Sequence, residues 1–283
     1  MTETHDTIRG FRQALDRARA SGLAVGLVPT MGSLHAGHLS LVERAGLDND
    51  VVAVTNFVNP LQFAADEDLG SYPRHPDRDE ALVAAAGAAH VFVPSVAEMY
   101  PEPVLTTVSV AGISETMEGV SRPTHFSGVA TAVAKLFAIA GPCRAYFGEK
   151  DFQQLAVVRR MVADLSIPVD VIGCPTVRAA DGLALSSRNV YLSAEQRRAA
   201  PVLHRALRAG ADGVGRGERS ADAVVRAMVT TVAAEPEAEL DYAEVVEPQR
   251  FERVDPLAGD LRLLIAARFG QTRLIDNIAV LAD

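Results

Sequence analysis

Apolar and polar residues follow a regular pattern through the first two thirds of the chain. Short apolar runs typical of buried strands lie at 23–28, 51–58, 90–93, 144–147 and 169–172. Stretches with helical periodicity separate them, at 7–21, 36–47, 77–86, 129–140 and 152–166. Because strands and helices alternate, we predict an α/β fold with a doubly wound parallel sheet.

The pattern changes after about residue 176. Two helical segments and three strand-like runs follow, at 193–216, 220–234, 240–246, 261–267 and 272–275. This order predicts a smaller α+β domain, in which the glycine-rich stretch 210–217 forms a loop. A candidate hinge at Pro175 and Thr176 divides the chain into domains 1–176 and 177–283.

Composition excludes several classes of protein. No apolar run approaches the ~20 residues of a membrane span, and the amino-terminal segment lacks the apolar core of a signal peptide. We therefore expect a cytoplasmic protein that contacts no membrane. The net charge of -9 argues against a nucleic-acid partner. Cys143 and Cys174 lie among apolar neighbours without Cys-x-x-Cys spacing, so we expect both to be reduced and buried.

The most informative segment runs from Pro29 to His38. It places His35 and His38 three residues apart where the first predicted strand gives way to a helix. Residues at this spacing share a helix face, so both imidazoles can donate hydrogen bonds to oxygens of a triphosphate. Backbone N–H groups at the helix start attract the same anion, and Gly37 leaves room for an adenine or a ribose. The segment predicts a nucleotide phosphate site at the end of a strand.

A chance pair of histidines or a metal site is the alternative interpretation of this segment. Helical metal ligands usually lie four residues apart, and no third ligand is adjacent here. The nucleotide interpretation is favoured because the strand, the turn, the small residues and the helix all agree with it.

Lysine is scarce in this chain, since Lys135 and Lys150 are the two lysines among 27 basic residues. A compact ammonium is not replaced by a planar guanidinium at a phosphate, so this scarcity suggests a chemical requirement. Lys150 lies in a second strand-to-helix turn, Gly148-Glu149-Lys150-Asp151. Both turns should lie at the same edge of a parallel sheet, where Lys150 can reach the anion. A surface ion pair between Glu149 and Lys150 is the alternative.

Three further segments carry polar side chains suited to substrates. In the loop 185–189 two serines precede Arg188, which suits phosphate oxygens, although the serines could equally form turns. The segment 57–63 ends in amides that can orient an uncharged polar group. The segment 122–129 supplies an arginine and a histidine, which could hold a carboxylate or belong to a capped surface turn.

Five segments, taken in order and spacing, closely resemble the pantothenate synthetases. They are Pro-Thr-Met-Gly-Ser-Leu-His-Ala-Gly-His at 29–38, Asn-Pro-Leu-Gln-Phe at 59–63, Arg-Pro-Thr-His-Phe at 122–126, Phe-Gly-Glu-Lys-Asp at 147–151 and Leu-Ser-Ser-Arg-Asn at 185–189. The resemblance extends over residues 23–277. A lone His-x-Gly-His would indicate only the wider superfamily of nucleotidyltransferases and class I aminoacyl-tRNA synthetases.

The resemblance implies ATP-dependent ligation of pantoate to β-alanine, with release of AMP and pyrophosphate through a pantoyl adenylate. It implies four catalytic side chains: His35, His38, Lys150 and Arg188. His38 corresponds to the family's proposed proton donor, and Gln62 and Gln154 would hold pantoate. The ATP contacts implied are Met31, Gly32, Ser33, Leu34, His35, Ala36, Gly37, His38, Gly148, Glu149, Lys150, Asp151, Val177, Leu185, Ser186, Ser187 and Arg188.

The resemblance also implies a Rossmann-like first domain, a carboxyl-terminal domain that closes over ATP as a lid, and a homodimer. Mg²⁺ should accompany the triphosphate, held largely by phosphate oxygens and water. Its protein ligands are unassigned: Asp79 is the one candidate, and Arg78 stands where some relatives have a second acid. Arg122 and His125 are weaker candidates for contacts with the second substrate.

Two other functions compete with the ligase. A nucleotidylyltransferase would use the same histidines to join AMP to a phosphate-bearing acceptor, and it would release pyrophosphate but no AMP. A non-catalytic nucleotide-binding module would bind ATP without turnover. The ligase is favoured because Gln62, Gln154 and the Lys150 motif form a set of substrate contacts beyond nucleotide binding.

Overall fold

The computed structural model describes residues 2–64 and 67–283, which form two compact units. The first unit contains the described residues up to Glu149 together with Gln153–Pro175. The second contains Lys150–Phe152 and Thr176–Asp283. No helix in the described ranges is long and apolar enough to cross a membrane.

A parallel sheet of six described strands organises the first unit. Its strands are β1 (Glu3–His5), β2 (Val25–Thr30), β3 (Val51–Asn56), β4 (His90–Phe92), β5 (Cys143–Gly148) and β6 (Val169–Cys174). They lie in the order β1-β4-β3-β2-β5-β6, and every pair is parallel. The direction of winding therefore reverses between β2 and β5, as in a doubly wound sheet. This confirms the predicted fold class, while the short edge strand β1 was not predicted.

Helices connect these strands. The described α-helices of this part are α1 (Ile8–Ala20), α2 (Ala36–Asp48), α3 (Pro76–Ala85), α4 (Val96–Met99), α5 (Glu118–Ser121), α6 (His125–Ala140) and α7 (Phe152–Asp164). Short 3₁₀ helices lie at Pro60–Gln62, Ile113–Glu115 and Glu149–Asp151. The core forms where α2 and α3 cover the sheet, because Leu41 and Val83 pack there with Val28 and Val54. The predicted strand 51–58 was too long, since β3 ends at Asn56.

The second unit packs helices on an antiparallel sheet. Its elements are a 3₁₀ helix (Ser187–Tyr191), α8 (Ala194–Ala199), α9 (Val202–Gly215), α10 (Ala221–Ala233), β7 (Glu239–Val246), β8 (Gly259–Phe269) and β9 (Thr272–Ala282). The strand order is β7-β8-β9. A core of leucine, valine and alanine side chains lies between helices and sheet, with Leu207, Met228 and Leu263 fully buried. This confirms the predicted α+β architecture.

Three details of the predicted second domain were wrong. The helix expected over 193–216 is broken at Ala200 and Pro201, because proline has no N–H for the helical ladder. The expected loop 210–217 is mostly helix: α9 continues to Gly215, and a Cβ at Gly210 would lie 2.8 Å from Leu263 Cδ2. The last strand continues well beyond residue 275, since β9 pairs with β8 over its whole length.

Both cysteines are free, as expected. Cys174 is buried, whereas Cys143 is only partly buried, so the prediction of two buried residues was wrong for Cys143. Desolvation nevertheless raises the pKa of the Cys143 thiol to about 12, which leaves it protonated and unreactive at neutral pH.

Candidate functional site

The two strand-to-helix turns singled out in the sequence follow adjacent strands. Gly26 and Leu27 of β2 pair with Arg144 and Ala145 of β5, so both strands end at the same edge of the sheet. In open α/β sheets, ligands bind outside the carboxyl ends of the strands where the winding reverses. The first unit thus has a ready-made ligand position after Thr30.

The loop after β2 is tightly specified by its backbone. Gly32 has φ +82° and Ser33 has φ +50°, conformations that favour glycine and are uncommon for serine. A Cβ at Gly32 would lie 2.5 Å from Asn56 Oδ1 and 3.0 Å from Asp79 Oδ2. Thr30 Oγ1 accepts a hydrogen bond from Gly32 N–H at 3.3 Å and donates one to Thr55 O at 2.7 Å.

Asp79 holds this loop from the adjacent helix α3. Its Oδ2 accepts a hydrogen bond from Ser33 N–H at 2.8 Å, and its Oδ1 accepts one from Leu34 N–H at 2.9 Å. The side chain is 2 % exposed. Charge-assisted bonds from two successive N–H groups fix the loop conformation at the start of α2. Because backbone N–H groups occupy both oxygens of this carboxylate, the contacts favour support of the loop over ligation of magnesium as the role of Asp79.

His35 and His38 cap the amino terminus of α2. His35 is the N-cap residue, and its Nδ1 accepts a hydrogen bond from Gly37 N–H at 3.1 Å. His38 Nδ1 accepts a longer one from His35 N–H at 3.4 Å. A neutral imidazole that accepts at Nδ1 carries its proton at Nε2. The two rings, with centroids 4.1 Å apart, are therefore set as Nε2–H donors.

Gln62 is buried beside the same loop. Its Nε2 lies 2.8 Å from Met31 Sδ, and its Oε1 accepts a hydrogen bond from Asn59 Nδ2 at 3.1 Å. Asn59 also donates to Gly128 O and accepts from the hydroxyl of Tyr100. Burial raises the pKa of Tyr100 to about 12, so that hydroxyl stays a donor. The hydrogen bonds of Asn59 therefore hold the Gln62 amide in place beside Met31.

Arg122 and His125 both contact the backbone carbonyl of Gln62. Arg122 forms a two-point ion pair with Glu67, and its Nη2 also donates to Gln62 O at 3.3 Å. His125 Nδ1 lies 3.0 Å from the same carbonyl. Burial, aided by the charge of Arg122, lowers the pKa of His125 to about 4, so its imidazole is neutral and donates. A buried neutral imidazole is a poor partner for a carboxylate, so this geometry favours support of Gln62 over contact with a substrate carboxylate as the role of His125.

Two adjacent glutamines at the start of α7 have different environments. Gln153 is 3 % exposed; its Nε2 donates to Ile113 O and Thr116 O, and its Oε1 accepts from Glu118 N–H. Gln154 is half-buried, and its amide has no hydrogen-bond partner among the described residues. Of the two, Gln154 is the one whose amide is available to a substrate.

In the second unit, a hydrogen bond to its backbone carbonyl holds Lys150 in place. Asn277 Nδ2 donates to Lys150 O at 2.8 Å, and the guanidinium of Arg262 lies 3.8 Å from the ring centroid of Phe152. The ammonium pairs with Asp151 at 3.4 Å. This ion pair is partly exposed and weak, so it leaves the ammonium able to exchange partners.

The loop 185–189, which contains Ser186 and Ser187, lies at the end of a small hairpin. Leu185 N–H donates to Val177 O at 3.0 Å, and Ala179 N–H donates to Leu183 O at 2.8 Å. Arg178 anchors the hairpin through a two-point ion pair with Asp276, at 2.6 and 2.9 Å. The hairpin thus sets the position from which the loop 185–189 leaves.

Ser186 caps the 3₁₀ helix that follows, because its Oγ accepts a hydrogen bond from Arg188 N–H at 3.2 Å. Ser186 thus forms a turn, which was the alternative to a phosphate contact that the sequence left open for these serines. Asn189 Nδ2 donates to Ala184 O at 3.1 Å and closes the loop. Ser187 and Arg188 are half-buried on this short helix.

A family model described as pantoate-beta-alanine ligase matches residues 3–279. The chain belongs to the pantoate-beta-alanine ligase family. The pantothenate synthetase of Moorella thermoacetica is 51% identical over 278 residues, 98% of each chain. That of Rhizobium meliloti is 49% identical over 97% of this chain and 94% of its own length. The match confirms the ligase interpretation over the nucleotidylyltransferase and the non-catalytic module.

Solved structures of pantoate-beta-alanine ligases have the same fold. Pantothenate synthetase from Thermus thermophilus superposes with a TM-score of 0.93 at 51% identity, covering 98% of this chain and 99% of the other. The ligase from Francisella tularensis, complexed with Beta-gamma ATP and beta-alanine, has a TM-score of 0.81 at 33% identity. It covers 98% of this chain and 97% of its own.

Within this ligase, sequence reasoning did not assign loop-holding roles to Asp79, Asn59 and Asn277. The amides in 57–63 signalled Asn59, whereas the roles of Asp79 and Asn277 depend on contacts 45 and 127 residues away along the chain. A polar residue at a buried position is the signal that could have marked each of them.

Proposed function

We propose that this chain makes pantothenate through a pantoyl adenylate formed at the loop that follows β2. The overall reaction of the family is ATP-dependent ligation of pantoate to β-alanine. The observation that carries the proposal is the pair of Nδ1 acceptor contacts at His35 and His38, which sets two Nε2–H donors at the edge where α/β sheets bind nucleotides.

The first step activates an unreactive acid. The pantoate carboxylate attacks the α-phosphorus of ATP, the bond to the oxygen that bridges to the β-phosphate breaks, and pyrophosphate leaves. In the second step the amine of β-alanine attacks the activated carbonyl, AMP leaves with the bridging oxygen, and the amine gives up a proton. Both steps build up negative charge on phosphate oxygens, so positioning and electrostatic stabilisation account for most of the catalysis.

His35 and His38 would donate to phosphate oxygens beside the amino terminus of α2, which also attracts the anion. Their Nδ1 contacts hold the rings in place before ATP arrives, so little reorganisation is needed during the reaction. We assign His38 the role of proton donor to the leaving group. Gly32, Ser33 and Leu34 would approach the nucleotide with their backbone, in the conformation fixed by Asp79.

Gln154 and Gln62 would hold pantoate. Amides suit its hydroxyl groups because they both donate and accept without placing a charge beside the reacting carboxylate. Gln154 has its amide available within the described chain, and Gln62 is fixed beside Met31. These two side chains lie in the first unit, together with the histidines.

Charge on the triphosphate would be balanced by Lys150 and Arg188 of the second unit. The ATP-binding role extends in this proposal to the segments that carry them: Gly148, Glu149, Asp151, Val177, Leu185, Ser186 and Ser187. Mg²⁺ would enter with ATP, held mainly by phosphate oxygens and water, because the buried carboxylate of Asp79 is occupied by backbone donors. A cytoplasmic homodimer and lid closure complete the proposal by resemblance to the family.

One assay tests the intermediate. The purified protein is incubated with Mg²⁺, ATP and pantoate, with and without β-alanine, and pyrophosphate, AMP and products are followed by mass spectrometry. We expect pyrophosphate release and an enzyme-held species of the mass of pantoyl adenylate when β-alanine is left out, and pantothenate with AMP when it is added. Pyrophosphate release that strictly requires β-alanine in single-turnover experiments would contradict a separate adenylation step.

A further inference from the structure

Three potential metal ligands meet at the outer edge of the parallel sheet, far along the strand order from β2. They are Glu3 and His5 of β1 and His90 of β4. Glu3 and His90 begin their strands, whereas the nucleotide loop follows the end of β2. The cluster is therefore separate from the proposed ATP site, and neither the ligase activity nor its substrates account for it.

Strand register alone puts these side chains on one face of the sheet. Glu3 pairs directly with His90, and His5 lies two residues further along β1. Side chains of paired residues point to the same face, and so do those at i and i+2 of one strand. Backbone bonds from Glu3 N–H to Ala89 O and from Val93 N–H to His5 O hold this register at 2.9 and 2.8 Å.

The three ligand atoms lie close enough together to bind one metal ion, and of their three contacts the one between the two histidine nitrogens is within hydrogen-bonding distance. His5 Nε2 lies 3.2 Å from His90 Nδ1, and Glu3 Oε2 lies 3.8 Å from the first nitrogen and 3.6 Å from the second. Both contacts of Glu3 are too long for hydrogen bonds. The point in the plane of these three atoms that is equidistant from all of them lies about 2.1 Å from each, which is the length of zinc bonds to histidine and carboxylate.

The surroundings suit such a site. The side chain of His5 is 6% exposed and that of His90 16%, so the imidazoles are fixed, while that of Glu3 is 58% exposed and leaves an approach from solvent. The His5 ring packs against Phe11, with centroids 5.8 Å apart. Two histidines and one carboxylate are a recurrent zinc ligand set, with water in the fourth position.

We propose that Glu3, His5 and His90 bind one divalent ion of the zinc class. The bound ion would link β1 to β4 through side chains as well as through the backbone. Because β1 is a three-residue edge strand that pairs only with β4 among the described strands, the ion would stabilise the attachment of this strand.

Cobalt titration tests the site directly. The untagged full-length protein is freed of metal with a chelator and titrated with Co²⁺ in the absence of ATP, and visible absorption reports tetrahedral coordination. We expect saturation at one equivalent, displacement of Co²⁺ by Zn²⁺, and a thermal midpoint that rises with Zn²⁺ concentration because the ion binds the folded state. Amide exchange at residues 3–5 should slow when Zn²⁺ is added.

Variants separate this site from any other. His90→Gln should abolish the cobalt spectrum, and Glu3→Gln, at an exposed side chain that does not endanger folding, should weaken binding by about tenfold or more. The matched control is His75→Gln, since His75 is the exposed N-cap residue before α3 and lies outside the cluster, and this variant should bind the metal as the parent does. Absence of one-equivalent binding by the parent, or an unchanged spectrum in His90→Gln and Glu3→Gln, would overturn the proposal.

Discussion

The carboxylate of Asp79 accepts a hydrogen bond from the backbone N–H of Ser33, a residue 46 positions earlier in the chain. With the neighbouring bond to Leu34, it fixes a backbone turn that serine and glycine adopt with positive φ. Strain of this kind persists only where the surrounding structure holds it. The geometry of the nucleotide loop therefore depends on a side chain of a different helix.

Replacing Asp79 tests this dependence. We expect Asp79→Ala to lower kcat/KM for ATP by at least about tenfold and to cost about 2 kcal/mol of unfolding free energy, because two N–H groups lose their partner. Asp79→Asn should be milder, since one amide oxygen can still accept. Asp77→Ala, at an exposed position of the same helix turn, is the control and should behave as the parent.

The Mg²⁺ dependence distinguishes support of the loop from metal binding at Asp79. A ligand of Mg²⁺ would give a variant whose activity recovers as Mg²⁺ is raised. We expect the activity of Asp79→Asn to depend on Mg²⁺ as that of the parent does. Recovery of its activity at high Mg²⁺ would show that Asp79 acts mainly through the metal and not through the loop.

Gln153 and Gln154 form a natural matched pair. Gln154→Ala should raise KM for pantoate by about tenfold or more with little effect on ATP or stability, since its amide makes no bond within the described chain. Gln153→Ala should instead lower the free energy of unfolding by about 2 kcal/mol, because a buried side chain loses three hydrogen bonds, two of them fully buried. Initial-rate kinetics and urea denaturation of both variants measure this contrast. Equal changes in KM for pantoate and in the free energy of unfolding for the two variants would contradict it.

Lys150 should be needed for chemistry and dispensable for folding. Its ammonium makes a partly exposed ion pair with Asp151, so Lys150→Ala should change the melting temperature little. We expect it to slow pantoate-dependent pyrophosphate release by about 100-fold or more, and Lys150→Arg to restore little, because a planar guanidinium does not replace the ammonium. A folded Lys150→Ala variant with near-parental rates would rule out the assigned role.

Acid should destabilise the first unit through His125. Its pKa is about 4 in the folded chain, below that of an unfolded histidine near 6.5. The unfolded state therefore binds the proton first, so the free energy of unfolding falls as the pH drops from about 6.5 to 4, by about 3 kcal/mol in total. His125→Asn keeps a donor near the position of Nδ1 and removes the titration. Urea denaturation from pH 7 to 4 should show a smaller loss for this variant.

The sequence predicts those features that depend on local pattern. Apolar runs revealed β2 to β6, and the spacing of His35 and His38 marked the start of α2. The short strand β1 escaped prediction because three residues carry too little periodicity, and its partner strand β4 lies far along the chain. The break before α9 did have a local signal, the proline at 201, but we gave more weight to the apolar periodicity that continues across it.

Roles decided by distant contacts were beyond local reasoning. Nothing adjacent to Gln153 and Gln154 tells which amide is bonded, because the partners Ile113 and Thr116 lie on another segment. For His125 likewise, the burial and the bond to Gln62 O that favour a supporting role have no signal in the local sequence.

The support of Lys150 by Asn277 and of Phe152 by Arg262 affects how this enzyme can be divided or recombined. Residues 150–152 immediately follow Glu149 of the first unit, yet their partners are in the carboxyl-terminal part of the chain. A fragment cut at Pro175 would leave Phe152 and the carbonyl of Lys150 without these partners. Chimaeras that exchange the carboxyl-terminal region between relatives should therefore exchange residues 150–152 along with it.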